Sequence, residues 1–275
     1  RYNMRRYFND WEQETDEKIV HILNDRYVDR YNINLENYVD GLIEEVYCIR
    51  NERIYFCYST AVQNSYPDRI WHIASIETNG EALTEHFAGN LSRESNPLGY
   101  SYDYERLSCR AFNLETYGGI YSNNKIYLHG KDKTVVYDID SDTVSETDGY
   151  PIGKYRWNIE DHKAITIEDT EQNTFKTVTL ENMAEQNIYA KKLLNLSTKT
   201  IWSGDSPVKR FFTNVKIVDN RIYIICEVLN WSGESFAVTF RYDFSSDRIL
   251  FLSSKKVGDR ISTNYSFVLC ESCSD

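Results

Sequence analysis

The chain has 275 residues and a formal net charge of −11, with 41% hydrophobic and 27% charged residues. This length allows one large hydrophobic core or two smaller ones, and the composition is that of a globular protein. Neutralising phosphates requires clustered Lys and Arg, so the acidic balance argues against nucleic acid as a partner. The sequence also contains no apolar run of membrane-spanning length, which excludes an integral membrane bundle.

The N-terminal segment has the pattern of a helix. Asp10 is a candidate N-cap with Gln13 three residues later, the spacing of a capping box. The apolar residues that follow fall on one helical stripe: Trp11, Thr15, Ile19, Ile22 and Leu23. We therefore predict an amphipathic α-helix from Asp10 to about Asn24, packed outside a larger body. This divides the chain into an N-terminal helical segment at residues 1–42 and a second domain at residues 43–275.

From residue 43 onward, short alternating apolar runs are separated by Asn, Asp, Ser and Gly, which predicts an all-β structure. One phrase occurs three times, as Asn51-Glu52-Arg53-Ile54-Tyr55-Phe56, Asn123-Asn124-Lys125-Ile126-Tyr127-Leu128 and Asp219-Asn220-Arg221-Ile222-Tyr223-Ile224. The polar pair in each copy predicts a two-residue hairpin turn, because Asn and Asp tolerate positive φ. A basic residue then opens the return strand.

A second phrase follows each hairpin, since residues 137–144 match residues 242–249 and residues 75–83 are a looser copy. Each copy therefore predicts a four-stranded antiparallel meander. A degenerate copy begins at residue 155 and has its last strand near Ile188. Sheets arranged radially protect each other's faces and edges, so we predict a β-propeller of about five blades. The tail at residues 260–270 is predicted to pair near the start of the chain; a β-sandwich, the alternative fold, predicts no repeat.

Three segments carry a resemblance to a known family: Arg53-Ile54-Tyr55-Phe56, Ile70-Trp71-His72-Ile73 and Thr78-Asn79-Gly80-Glu81. They resemble the repeat of bacterial TolB-like and YWTD-like β-propellers, in which an Ile-Tyr-Phe strand is followed by a strand ending in an Asn-x-Asp/Asn-Gly turn. The resemblance covers three or four repeats over residues 44–254, and the YWTD tetrad is missing. It implies a propeller fold and, by analogy, a binding or scaffolding role, but transfers no catalytic residue.

Six cysteines leave the redox compartment open. Cys270 and Cys273 have metal or redox spacing, but a zinc site needs two more ligands and no second pair exists, so we expect tail thiols or a local disulfide and no metal site. Cys48 and Cys57 lie on the strands of the first hairpin. A two-residue turn makes them diagonal neighbours, too far apart for easy bridging, whereas a four-residue loop would place them opposite. Buried thiols are the expectation.

The sequence contains no phosphate loop, dinucleotide fingerprint or nucleophile elbow, so we predict no cofactor and name no catalytic residue. Three tryptophans have polar neighbours at predicted loops or strand ends: Trp157, Trp202 and Trp231. Exposed aromatic rings beside Asn, Asp and Ser grip sugar rings and protein partners. These three are the candidate ligand-binding residues, and packing in the core is the alternative for each.

Together these patterns favour a non-enzymatic binding or scaffold module of a bacterial exported or surface-attached protein. Its protein or carbohydrate ligand would bind at one face of the propeller. The alternative is a propeller glycoside hydrolase with paired carboxylates in the central channel, for which Asp68, Asp161 and Asp205 are candidates. A third hypothesis is a sensor domain, in which a membrane anchor precedes Arg1 although this chain has no transmembrane segment.

Overall fold

A computed structural model describes Phe8 and residues 11–61, 69–91, 120–129, 133–148, 154–198, 212–229, 234–258 and 265–270. In these residues the strands form five antiparallel sheets. The fold is an all-β, five-bladed β-propeller, so the predicted fold class is confirmed and the β-sandwich is not adopted. The chain forms two compact units, Arg1–Glu17 with Gly153–Thr263 (unit 1) and Lys18–Ile152 with Asn264–Asp275 (unit 2).

Unit 2 contains three four-stranded sheets. Sheet 1 has the order β19-β1-β2-β3, with β1 at Ile19–Leu23, β2 at Tyr27–Val28, β3 at Ile33–Asn34 and β19 at Tyr265–Leu269. Sheet 2 consists of β4 (Leu42–Arg50), β5 (Arg53–Ala61), β6 (Arg69–Glu77) and β7 (Thr84–Asn90), and sheet 3 of β8 (Ile120–Ser122), β9 (Lys125–His129), β10 (Thr134–Asp138) and β11 (Thr143–Thr147). A buried apolar cluster that includes Val20, Phe56 and Val268 joins sheets 1 and 2.

The described residues of unit 1 form two sheets and two short helices. Sheet 4 has three strands, β12 (Tyr155–Glu160), β13 (Ala164–Asp169) and β14 (Thr174–Thr179), followed by α1 (Leu180–Gln186) and α2 (Ile188–Thr198). Sheet 5 has four strands, β15 (Phe212–Val218), β16 (Arg221–Leu229), β17 (Ser235–Asp243) and β18 (Arg248–Gly258). Both sheets and both helices contribute to one apolar cluster that includes Ile165, Leu193 and Phe240.

The three predicted hairpin turns are confirmed. The φ angles of the two turn residues are 50° and 59° at Asn51 and Glu52, 49° and 60° at Asn123 and Asn124, and 48° and 60° at Asp219 and Asn220. Two successive positive φ values are those of a type I′ turn, whose twist matches that of the flanking strands. Two residues separate the strands that each turn connects. The three turns join the first two strands of sheets 2, 3 and 5.

The basic residue after each turn has a structural role in sheets 2 and 3. Arg53 opens β5 and lies opposite Glu77 at the end of β6, with 3.4 Å between Nη1 and the carboxylate. Lys125 opens β9 and lies opposite Asp138 at the end of β10, with Nζ 3.2 Å from the carboxylate. Opposite charges facing each other across two strands stabilise the pairing, which explains why a cation recurs after the turn.

The predicted N-terminal helix from Asp10 to Asn24 is wrong over the described residues. Ile19–Leu23 is strand β1, which pairs along its full length with β19 and buries Val20 and Ile22 by strand alternation. This pairing confirms that the tail joins the start of the chain. A partner about 245 residues away is invisible to a local pattern, and the pairing of the two strands outweighs local helix propensity.

Ahead of β1, Phe8 and residues 11–17 form what we call the N-terminal strap. Its contacts with unit 1 recur at intervals of three residues, at Phe8, Trp11, Glu14 and Glu17. These contacts do not follow the stripe of Trp11, Thr15, Ile19, Ile22 and Leu23 on which the helix prediction rests, and only Trp11 belongs to both sets. The described strap contains no helix beyond Phe8.

The strand predicted near Ile188 is also wrong, because α2 begins there. Thr179 caps α1 by accepting a hydrogen bond from Asn182 N, and Asn187 accepts from the main chain of Tyr189 and Ala190 at the start of α2. Capping side chains of this kind satisfy the donors that a helix start leaves open. The capping residue Asn187, followed by Ala190, Lys191, Lys192 and Leu193, therefore favours a helix over a strand at this point.

Candidate functional site

A β-bulge in β7 is the origin of the main polar cluster in unit 2. The pairing of β6 with β7 shifts register between Ile73, which lies opposite Phe87, and Ala74, which lies opposite Glu85. His86 is therefore the extra residue. Because neighbouring strand residues point to opposite faces, Glu85 and His86 serve opposite faces of sheet 2. The bulge places His86 between two paired residues, and bulges are enriched next to active sites.

On one face, His86 joins a hydroxyl group to a carboxylate. Its Nε2 lies 2.8 Å from Ser75 Oγ in β6, and its Nδ1 lies 3.1 Å from Asp142 Oδ1 in the turn between β10 and β11. Tyr137 stacks on the imidazole with 4.5 Å between ring centroids, and its hydroxyl donates to Asp142 at 2.8 Å. Connectivity of this kind is that of a Ser-His-Asp triad.

The order of burial in this cluster is the reverse of that in a Ser-His-Asp hydrolase, because the serine is buried and the aspartate is exposed. Ser75 is 0% exposed and the His86 side chain 9%, whereas the Asp142 side chain is 74% exposed. Arg53 Nε donates to Ser75 Oγ at 2.9 Å, so the hydroxyl already has a second partner. A nucleophile must reach the substrate, while the acid of a triad is the buried member. The described geometry therefore suits a structural relay and not acyl transfer.

The protonation states fit a continuous chain of hydrogen bonds. Burial lowers the pKa of His86 against the opposing attraction of Asp142, so the imidazole is neutral at pH 7. The hydrogen bond from Tyr137 lowers the pKa of Asp142 and keeps it ionised. We assign Nδ1–H as donor to Asp142 and Nε2 as acceptor from Ser75, which in turn accepts from Arg53. Every polar proton in this series of hydrogen bonds then has an acceptor.

The opposite face of sheet 2 carries a related cluster around His72. Its Nδ1 lies 2.7 Å from Glu85 Oε2, its Nε2 lies 3.0 Å from Thr60 Oγ1, and its ring stacks on Tyr58 at 4.3 Å and 6°. Tyr58 also donates to Glu85 at 2.9 Å. Thr60 lies within a paired strand opposite Ile70, and not at a turn or helix start where N–H groups converge to form an oxyanion hole.

The turn after β10 has acidic spacing that suggests a cation loop, but its carboxylates are used separately. Asp138 accepts from the main-chain N–H groups of residues 140 and 141 and pairs with Lys125. Asp140 pairs with Arg50 at 2.7 Å, and Asp142 belongs to the His86 cluster. Among the described residues no group of three or more His, Cys, Asp or Glu side chains is placed to hold a metal ion.

Of the three tryptophans predicted to bind ligand, the structure describes Trp157. Trp157 lies in β12, is 5% exposed and belongs to the apolar cluster of unit 1. Trp202 and Trp231 lie outside the described residues. Of the carboxylates considered for glycoside hydrolysis, Asp161 is an exposed turn residue with a φ of 48°, and Asp68 and Asp205 lie outside the described residues.

Sequence reasoning missed both histidine clusters, because the hydrogen-bond partners lie 11 and 56 residues from His86 and 12 and 13 residues from His72. One signal was present. The matched phrases at residues 137–144 and 242–249 place a tyrosine five residues before an aspartate, and Tyr137 and Tyr242 each donate to that aspartate, Asp142 and Asp247. The repeated motif thus encodes a hydrogen bond from tyrosine to aspartate across the turn. In sheet 3 the same aspartate, Asp142, also contacts His86 of sheet 2.

The cysteines follow part of the expectation. Cys48 lies opposite Tyr55 across the two-residue turn, as predicted, and Cys48, Cys57 and Cys226 are buried thiols. Burial raises the pKa of the Cys226 thiol, so it is unreactive at neutral pH. Cys270 is disulfide-bonded, and Cys109 and Cys273 lie outside the described residues.

Comparison with known proteins adds only remote likenesses. No family model and no curated protein matches the chain, so the resemblance to TolB-like and YWTD-like repeats stays a prediction. The chain is similar to the extracellular domain of a proposed one-component system from B. thetaiotaomicron, with 11% identity, a TM-score of 0.26 and 82% of this chain covered. It is also similar to a hypothetical selenium-binding protein from Sulfolobus tokodaii, with 8% identity, a TM-score of 0.20 and 86% covered.

The chain spans 29% and 48% of the lengths of these two proteins. At such TM-scores neither likeness bears on function. Within the described residues, no helix is long and apolar enough to cross a membrane.

Proposed function

We propose that this chain is a non-enzymatic binding or scaffold module of a bacterial exported or surface-attached protein, presenting a protein- or glycan-binding site at one face of the propeller. The supporting observation is the burial of Ser75. Its triad-like arrangement is inverted, with the hydroxyl at 0% exposure and the carboxylate in solvent. The hydrogen bonds of the two histidine clusters therefore hold the strands of sheet 2 in place. A rigid sheet of this kind is what a binding surface requires.

Trp202 and Trp231 are the proposed ligand contacts, since each is flanked by Asn, Asp, Ser or Gly in the sequence. Trp157 is the matched control, because its ring packs in the core of unit 1. The full chain is screened on a glycan array and against bacterial surface proteins, and the affinity of each hit is measured by tryptophan fluorescence. We expect Trp202→Ala or Trp231→Ala to weaken binding at least tenfold, and Trp157→Phe to leave it unchanged.

The same assay distinguishes the alternatives. Release of reducing sugar from a bound glycan would instead support the glycoside hydrolase. An equal loss of affinity in Trp157→Phe would show that the effect comes from altered folding, and the absence of any glycan or protein ligand would overturn the proposal.

A further inference from the structure

The N-terminal strap contacts unit 1 through aromatic rings at its first part. Phe8 stacks on Phe236 with 4.8 Å between ring centroids and is buried. Trp11 packs edge-on against Phe251 at 5.5 Å and tilted against Tyr189 at 5.3 Å. Aromatic pairs at these separations contribute beyond the area they bury. The strap is therefore anchored on β17, β18 and α2 by two rings three residues apart.

The centre of the strap is held by main-chain and carboxylate hydrogen bonds. Glu14 N donates to Phe251 O at 3.1 Å, and Glu14 Oε2 accepts from Phe251 N at 2.7 Å and from Asn187 Nδ2 at 2.8 Å. A hydrogen bond to an ionised acceptor is about twice as strong as a neutral one. These bonds use β18 as an edge to which an extended segment attaches by main chain and one acidic side chain.

The end of the strap supplies an anion to two arginines of sheet 5. Glu17 Oε1 accepts from Arg241 Nη1 and lies 3.5 Å from Arg221 Nη1, and its side chain is 14% exposed. Two guanidinium groups side by side repel each other unless a carboxylate lies between them. The acid at the end of β17, Asp243, is engaged by its own turn, where hydrogen bonds from Ser245 and the neighbouring main chain lower its pKa to about 2.

Much of the strap faces water. Glu12, Gln13, Glu14 and Asp16 are exposed, and the main chain of residues 11–17 forms no strand. An attachment that uses mainly side chains can separate from the protein without breaking a ladder of main-chain hydrogen bonds. Segments of this kind open at lower free energy than paired core strands.

We propose that the surface under the strap is a groove for an extended acidic peptide and that the strap is its resident, displaceable occupant. The peptide carries an aromatic residue followed at three-residue intervals by two carboxylates. The ring packs beside Phe251 and Tyr189, the first carboxylate accepts from Phe251 N, and the second lies between Arg221 and Arg241. The chain carries a net charge of −11, so its overall charge does not attract an acidic peptide. The local positive charge of Arg221 and Arg241 is therefore what selects an acidic segment.

The test uses the full chain and a labelled peptide of residues 8–18 in trans. In the unmodified chain the tethered strap competes at an effective concentration of about millimolar. The variant Trp11→Ala/Glu17→Gln weakens the strap, so fluorescence anisotropy is expected to show the peptide binding at least tenfold more tightly to this variant. The chain variant Glu12→Gln changes an exposed strap residue and is expected to behave like the unmodified chain. A peptide carrying the Trp11→Ala and Glu17→Gln changes is expected not to bind.

Equal peptide affinity for both chains, or binding to neither, overturns the proposal. A variant that dimerises with concentration and takes up no peptide shows exchange of straps between copies and also overturns it. Hydrogen exchange of the unmodified chain gives a second readout that needs no variant. The Glu14 amide is expected to exchange well before the amides of β17, and exchange in step with β17 means that the strap is permanent. None of these outcomes depends on Trp202 or Trp231, so this groove and the proposed function fail separately.

Discussion

Sheets 2 and 5 carry the same sequence motif at their first hairpin, and they differ in the residue that lies opposite the tyrosine of that motif. Arg53 and Arg221 open the second strand of the respective sheet, and two residues later a buried tyrosine faces the third strand. The residue opposite that tyrosine is Ser75 in sheet 2 and Arg241 in sheet 5. The two sheets therefore present a cation beside a hydroxyl in one case and two cations in the other.

This difference decides which partner completes each cluster. In sheet 2 the small hydroxyl of Ser75 accepts from Arg53 and bonds to the neutral imidazole of His86. In sheet 5 the guanidinium of Arg241 takes that place, so a carboxylate is needed, and Glu17 of the strap supplies it. The residue opposite the tyrosine therefore decides the partner. Ser75 takes the neutral imidazole of His86, whereas Arg241 takes the carboxylate of Glu17 from the strap.

The largest expected effect is at the carboxylate of sheet 5. Glu17→Gln removes the anion, 14% exposed, that lies beside the Arg221 and Arg241 side chains, which are 54% and 31% exposed, so we expect the free energy of unfolding of unit 1 to fall by about 2 kcal/mol, the contribution of a hydrogen bond to a charged group. Glu77→Gln is the matched change in sheet 2. It is expected to cost less than about 1 kcal/mol, because the pair is partly exposed and Arg53 keeps its bonds to the carbonyls of Ser75 and Ala82.

Chemical denaturation with a probe in each unit measures both values. Arg241→Ser, which introduces the residue of sheet 2, is expected to reduce the effect of Glu17→Gln by more than half, since the repulsion is gone. If Glu17→Gln and Glu77→Gln cost the same, the proposed difference between the two sheets does not exist.

An intermediate effect is expected at His86, as a dependence of stability on pH. Burial lowers the pKa of His86 in the folded protein below its value of about 6.5 in the unfolded chain. The neutral imidazole therefore stabilises the fold fully above pH 6.5, and this contribution is lost as the pH falls through the folded pKa, because the unfolded chain then binds more protons. The slope is at most about 1.4 kcal/mol per pH unit for one proton.

The measurement is denaturation of the chain and of His86→Gln between pH 7.5 and 5.5. The variant is expected to be about 1–2 kcal/mol less stable at pH 7.5, because Ser75 and Asp142 lose their shared partner. The difference between the two proteins should shrink toward pH 5.5. A difference that stays constant over this range would contradict the role of the neutral imidazole.

The smallest expected effect is at the shared turns. Glu52 and Asn220 occupy the second turn position of sheets 2 and 5 with φ of 59° and 60°. Glycine adopts positive φ without steric cost, whereas Glu is strained there and Asn less so. Glu52→Gly is therefore expected to raise the free energy of unfolding by about 0.5–1 kcal/mol, and Asn220→Gly by less. Thermal unfolding compares them, and a larger gain at Asn220 would show that the turn residue itself is not the cause.

Local features of the fold were predictable because their causes are local. A polar pair such as Asn51-Glu52 between two apolar runs predicts the turn, and the turn length sets the pairing of Cys48 with Tyr55. The strap was not predictable, because its side chains contact residues more than 170 positions away, such as Asn187, Phe251 and Arg241. Ser75, His86 and Asp142 could not be grouped either, since a bulge in β7 and a turn of the next sheet bring them together.

The sequence by itself determined the all-β class, the positions of the three repeated hairpin turns and the net charge of −11, since alternation and turn propensity act over a few residues and charge follows from composition. Tertiary structure alone decided that residues 19–23 form a strand, that Ser75 is buried while Asp142 is exposed, and that Glu17 lies between two arginines. The physical reason is that burial and strand pairing depend on which distant segment covers a residue. Residues far apart in the sequence leave no local pattern that would reveal their contact.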